Sequence, residues 1–62
     1  MVQQSIEIAH HRLRISGRRD PEAEVWIATS PDVRGLVLEA ETWPKILHEA
    51  ELVIPELLEV SR

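Results

Sequence analysis

The chain has 62 residues, with eleven acidic and seven basic side chains, a formal net charge of −4 and no cysteine. A chain this short forms one domain with a small core, so a single domain over residues 1–62 is predicted. No disulfide can reinforce that core, which leaves oligomerisation as the available remedy. The acidic balance argues against direct nucleic acid binding, since phosphate contacts need clustered lysines and arginines. There is neither a membrane-length apolar run nor a signal peptide, so a cytoplasmic location without membrane contact is predicted.

Residues 1–5 are predicted to form a frayed terminus. Two short segments with alternating apolar residues follow. The alternations are out of phase, so one continuous first strand would turn their side chains to opposite faces. A bulge near residues 10–11 would reconcile the two phases. Alternatively, the first pair packs on a separate surface, such as a second subunit. The two pairs are Ile6 with Ile8 and Leu13 with Ile15.

Three histidines raise the question of a metal site. His10 and His11 are neighbours in the predicted first strand, where successive side chains point to opposite faces, so one ion cannot easily contact both. His48 lies far away on the predicted helix. The spacing therefore predicts no metal site and no cofactor, and it assigns no role to the three histidines.

Residues 25–40 carry the clearest local signals. Val25–Thr29 is almost wholly β-branched or aromatic, which is typical of a strand, and its odd and even side chains point to opposite faces. The turn around Pro31 cannot continue a central strand, and Gly35 permits a positive φ as the chain reverses. A second strand follows from Leu36.

A polar connection over residues 18–24, with an Asp-Pro turn signal, joins the first strand to this pair. Three strands that follow one another through short connections form an antiparallel meander.

A helix is predicted to begin at Thr42, whose hydroxyl can cap it, with Pro44 in the first turn, where a missing N–H costs little. Pro55 interrupts the pattern and predicts a bent continuation. Leu52 falls off the apolar stripe, so it is either exposed or in an interface. The predicted fold class is α+β: a three-stranded antiparallel meander followed by one C-terminal helix packed on one face. The stripe comprises Trp43, Ile46, Leu47, Ala50, Val53, Ile54, Leu57 and Leu58.

Four segments of the chain resemble the short bacterial domain-of-unknown-function family nineteen-oh-two, which is similar to the HicB antitoxins. The resemblance covers roughly residues 13–60. It implies a HicB-like domain with the fold of the amino-terminal half of such an antitoxin, similar to a reduced ribonuclease H unit without its catalytic carboxylates. The segments read DPEA at residues 20–23, VWIATS at 25–30, GLVLEA at 35–40 and IPELL at 54–58.

HicB proteins commonly carry a further DNA-binding domain. The sequence up to Arg62 holds no counterpart of it, so autorepressor activity is not expected. The resemblance further implies a small basic ribonuclease toxin as the partner, blocked by occlusion of its active site.

Five carboxylates are candidates for catalysis, and all lie in predicted turns or strand ends. A metal-dependent nuclease would need several of them around one divalent ion. Two of them lie at opposite ends of the Val25–Thr29 strand, and no nucleophile–base pair is present. We therefore expect no catalytic residue and no enzyme activity. The five are Asp20, Glu22, Asp32, Glu39 and Glu41.

The leading hypothesis is a non-catalytic protein-interaction module that resembles a HicB-type antitoxin and binds a small basic ribonuclease toxin. The alternative is a stand-alone homodimeric structural or regulatory protein. In both cases a dimer is expected, through the edge of the first strand or the C-terminal half of the helix. Leu52 and Val60 fall outside the main stripe there.

Overall fold

The computed structural model describes residues 1–60, and it contains four strands and one helix. The sheet order is β1-β2-β3-β4, with every neighbouring pair antiparallel. The α+β class is therefore correct, but the predicted three-stranded meander is wrong because the sheet has a fourth strand. The elements are β1 Val2–Ile8, β2 His11–Asp20, β3 Val25–Thr29, β4 Val37–Ala40 and α1 Trp43–Val60.

The extra strand arises because the predicted first strand is in fact a hairpin. Ala9 and His10 form its two-residue turn, with φ values of 51° and 68°. Positive φ at both central residues is the type I′ geometry that suits the twist of a hairpin. Ile6 then lies opposite Leu13, and opposed residues share a face. A two-residue turn pairs even-numbered with odd-numbered residues, so the out-of-phase alternations need no bulge.

The prediction of a frayed start is also wrong, since β1 begins at Val2. This strand is mostly exposed, and Ile8 is its one buried side chain. Such a strand is difficult to predict from the sequence, because main-chain hydrogen bonds hold it in the sheet and few of its side chains are buried.

The sheet is staggered. β1 pairs with residues 11–17 of β2, whereas β3 pairs with residues 16–20. Only Ser16 and Gly17 therefore have strand neighbours on both sides. We call β1 with β2 the first hairpin and β3 with β4 the second hairpin. Their offset makes the molecule elongated, with extents of 36 × 18 × 17 Å.

Helix α1 covers one face of the sheet, as predicted. The N–H of Lys45 donates to Oγ1 of Thr42 over 3.3 Å, which confirms the predicted cap. The helix continues through Pro55. Ala28 is fully buried, so the even-numbered side chains of β3 face the helix. The core consists of Ile8, Leu13, Ile15, Ala28, Val33, Leu36, Leu38, Ile46, Ala50 and Ile54.

Trp43, the first residue of the helix, contacts both hairpins. Its ring lies directly over Gly17, where any Cβ would overlap ring carbons. Its Nε1–H donates to Oε1 of Gln4 over 3.0 Å, and its ring centroid is 5.4 Å from that of Trp26. The absence of a side chain at Gly17 thus lets one indole bind the helix start to β1, β2 and β3.

Candidate interaction surfaces

Asp32, one of the candidate catalytic carboxylates, is bound to Arg14. Its Oδ2 accepts the Arg14 backbone N–H over 2.8 Å and the guanidinium Nε–H over 3.0 Å, while Oδ1 accepts from Nη2 over 2.9 Å. These hydrogen bonds lower the pKa of Asp32 to about 2 and raise the pKa of Arg14. β3 does not reach this part of β2. The pair therefore fastens the β3–β4 loop to the side of β2 that faces away from β1 and that β3 leaves without a strand neighbour.

Sequence reasoning did not find this pair, because the two residues are 18 positions apart. An arginine on the exposed face of a strand and an aspartate in a turn are both common, so neither residue indicates that it has a distant partner. Only the stagger of the two hairpins brings them together.

The other candidate carboxylates do not gather around Asp32. Oδ1 of Asp20 accepts the backbone N–H of Glu22 over 3.0 Å and of Ala23 over 3.3 Å, which stabilises the β2–β3 turn. Asp20 pairs with Val25 at one end of β3, and Asp32 follows the other end. Glu39 lies on β4, and Glu41 precedes α1.

The described residues contain no set of three histidine, aspartate or glutamate side chains that could share a metal ion. His10, His11 and His48 are all exposed. Among the shallow depressions on the surface of residues 1–60 are two of different size. The larger, about 420 Å³, is lined by Ala9, His11, Pro55, Leu58 and Glu59, and the smaller, about 80 Å³, lies over β2 and β3.

The outer side of α1 presents a leucine among glutamates. Leu52 is 58% exposed in the single chain, which agrees with both predicted alternatives, a solvent-exposed position and a position in an interface. Glu49, Glu56 and Glu59 stand three, four and seven residues from it and are also exposed. These spacings place all four side chains on one side of a helix. We call this set the acidic helix face. The side chain of Val60, predicted to join this region, lies outside the described part of the chain.

The acidic helix face is electrostatically unfavourable for the isolated helix. α1 carries four glutamates against one lysine, and its last turn holds no basic residue. A carboxylate near the C-terminus of a helix opposes the helix dipole, and like charges one turn apart repel. Within residues 1–60 none of these glutamates forms an ion pair, since the pair there is Arg14 with Asp32. A cationic partner would relieve this repulsion.

The sheet has two outer edges, and they differ. The residues that flank a two-residue turn exchange both hydrogen bonds, and bonded pairs then alternate along the ladder. In β1 the even-numbered residues therefore bond to β2, while the main-chain groups of Gln3, Ser5 and Glu7 point outward. The same alternation across β3 leaves Val37 and Glu39 of β4 pointing outward. We call these the β1 edge and the β4 edge.

The fold and these surfaces define a small α+β domain with a helix-covered, staggered sheet and an acidic outer helix. The chain belongs to the family described as Domain of unknown function (DUF1902), whose model matches residues 12–61. The match includes α1 and all of the second hairpin, and it begins after β1. No curated protein and no solved structure matches the chain. Helix α1 is not apolar enough over its length to cross a bilayer, and no other helix lies within residues 1–60.

Proposed function

We propose that this chain is a non-catalytic protein-interaction module that binds a small basic protein through the acidic helix face, in the manner of a HicB-type antitoxin. The observation that carries the proposal is the exposed Leu52 surrounded by Glu49, Glu56 and Glu59, none of which is neutralised within residues 1–60. Membership of DUF1902 names no activity.

The chemistry of the acidic helix face specifies the partner. Interfaces are commonly centred on a desolvated apolar anchor with polar groups at the rim. Leu52 is such an anchor, and the glutamates are the rim. The complementary surface has a small apolar depression ringed by lysines or arginines. Opposite charges at a rim act mainly on the association rate, so binding should weaken as salt screens them.

The role of an antitoxin follows if that basic protein is a ribonuclease. Nucleases that bind RNA backbones present clustered cationic side chains at their active sites. An acidic helix laid over such a cluster competes directly with RNA. No residue of the module needs to take part in chemistry.

The test begins with a pull-down of the chain from its own cells, followed by mass spectrometry. A basic protein recovered at a fixed ratio is then purified and titrated by calorimetry against variants. We expect Leu52→Ala and Glu56→Lys each to weaken binding by about tenfold or more. Glu22→Lys makes the same charge change in the β2–β3 turn and should alter affinity by less than about twofold.

Two results would contradict the proposal. One is recovery of no basic protein at a fixed ratio. The other is equal weakening by Glu56→Lys and Glu22→Lys, because that would indicate a general attraction to net charge rather than a defined surface. The antitoxin role is tested separately, by whether the chain blocks RNA cleavage by the purified partner.

A further inference from the structure

The β1 edge is the longest unpaired main-chain surface among the described residues. β1 has seven residues, and the β4 edge belongs to a strand of four. Natural sheets protect such edges with proline, lysine, inward-pointing charges or short strands. β1 contains neither proline nor lysine, and Glu7 is its one charged residue. The β4 edge, by contrast, is short, carries Glu39 and is followed by Glu41.

From this difference we propose that the β1 edge pairs antiparallel with the β1 edge of a second copy of the chain, around a two-fold axis at Ser5. The two four-stranded sheets then form one continuous eight-stranded sheet. The proposal does not depend on the basic partner, since it concerns the isolated chain.

The register follows from the strand itself. Ser5 is the middle residue of Val2–Ile8, so a two-fold axis there overlaps all seven residues. It pairs Gln3 with Glu7 of the second copy and Ser5 with Ser5. These are the residues whose main-chain groups point outward, so each pair can exchange two hydrogen bonds. The axis is perpendicular to the sheet, which places both helices on the same face.

The side chains agree with this register. Each Glu7 stands opposite a glutamine amide, which can donate to it, rather than opposite another carboxylate. On the helix-covered face, Val2 comes beside Ile8 of the second copy, and Ile6 comes beside Gln4. Thus a seven-residue strand with a single charged residue supplies the contact between two acidic molecules that otherwise repel.

The shape of the molecule leaves room for such pairing. Its exposed surface is 4562 Å² for a mass of 7.1 kDa, against roughly 4,100 Å² for a compact monomer of that mass. The excess reflects the elongated, staggered sheet. A single edge buries less than a standard interface of about 800 Å² per partner, so a dimer of roughly micromolar affinity is expected.

Sedimentation equilibrium from about 1 µM to 1 mM tests the proposal on the isolated chain. We expect a mass approaching twice 7.1 kDa at high concentration. Ser5→Pro removes an outward N–H and spares the bonds to β2, so it should raise the dimer dissociation constant by at least about tenfold. Ser5→Lys, which sets two cations face to face at the axis, should do the same.

Glu39→Pro is the matched control, because it removes an outward N–H from the β4 edge. It should leave the dissociation constant within about twofold. Circular dichroism must show cooperative unfolding for each variant, so that loss of dimer is not loss of fold. A wild-type chain that stays monomeric at 1 mM would overturn the proposal. So would a dimer that survives both Ser5 variants and dissociates with Glu39→Pro or Leu52→Glu.

Discussion

The two hairpins of this sheet are built in different ways. The first closes through a two-residue turn at Ala9 and His10, which holds two non-glycine residues at positive φ. The second closes through a seven-residue loop, in which Gly35 supplies the positive φ and Asp32 binds Arg14 of β2. The first hairpin thus has strained closure and a long open edge, and the second has relaxed closure and a short edge.

This difference indicates what each hairpin contributes. The second hairpin and α1 lie within the family match, which begins at residue 12. β1 lies before it, is mostly exposed and adds one buried side chain, Ile8. We infer that the domain's stability resides mainly in the part around α1, while β1 adds an edge available for pairing. The following predictions test that division, from the largest expected effect to the smallest.

Truncating the core should cost far more at the junction of the hairpins than along β1. Ile15→Ala removes a fully buried side chain from β2 and should lower the free energy of unfolding by about 2–5 kcal/mol. Ile6→Ala removes a half-buried side chain from β1 and should cost about 1 kcal/mol. Urea denaturation measures both. Equal losses would show that β1 is as integral to the core as β2.

Gly17→Ala should separate a packing requirement from a backbone requirement. Its new Cβ would overlap the Trp43 ring, and such overpacking costs about 1–3 kcal/mol. Gly35→Ala meets open space but has a φ of 80°, so it should cost about 1 kcal/mol through the backbone alone. The double variant Gly17→Ala/Trp43→Leu should recover part of the first loss relative to Trp43→Leu. Absence of any coupling would mean that the indole does not rest on Gly17.

Relieving the strained turn should stabilise the first hairpin. Ala9→Asn/His10→Gly installs the pair that a type I′ turn prefers and should raise the free energy of unfolding by about 1–2 kcal/mol. Glu24 has a single positive φ of 56° in the β2–β3 turn. Glu24→Gly should therefore raise the free energy of unfolding by no more than about 1 kcal/mol. Thermal melting with hydrogen exchange on residues 2–8 measures both. A neutral or harmful effect of the double variant would argue against the hairpin turn itself.

The loop contact should appear as a shallow acid dependence of stability. The pKa of Asp32 is lowered to about 2 in the folded chain, against about 3.9 in an unfolded one. Its stabilising contribution is therefore complete above about pH 4 and is lost as the pH falls through about 2. Asp32→Asn should remove the fall in stability within that window and lower stability by a constant amount above about pH 4, because asparagine has no charge to lose. Glu22→Gln is the control, and an equal flattening there would remove the special role of Asp32. Because the pair is exposed, this is the smallest effect of the four.

Local patterns predicted much of this domain correctly. The strand at Val25–Thr29, the positive φ at Gly35 and the helix capped by Thr42 all follow from side-chain chemistry within a few residues. The exposure of Leu52 follows equally from helical spacing, so one residue of the acidic helix face could be found without coordinates. The glutamates around it were visible as a polar side of the helix, but their lack of partners was not.

The errors concern how segments meet. The out-of-phase pairs, Ile6 with Ile8 and Leu13 with Ile15, predict one strand where the structure has two, because Ala9 and His10 carry no turn signal. Alanine and histidine rarely adopt positive φ, and only pairing of β1 along β2 holds them there. Likewise, no residue near Gly17 in the sequence predicts that the indole of Trp43, 26 positions later, covers it.

By itself, then, the sequence determined the α+β class, the helix with its apolar and acidic sides and the net negative charge, because each depends on residues close together in the chain. The tertiary structure decided the number of strands, the stagger of the hairpins, the Arg14–Asp32 contact and the position of Trp43 over Gly17. These depend on register and on contacts between distant residues, where main-chain pairing outweighs local preference. The open β1 edge belongs to this second group, since an edge exists only once the sheet is assembled.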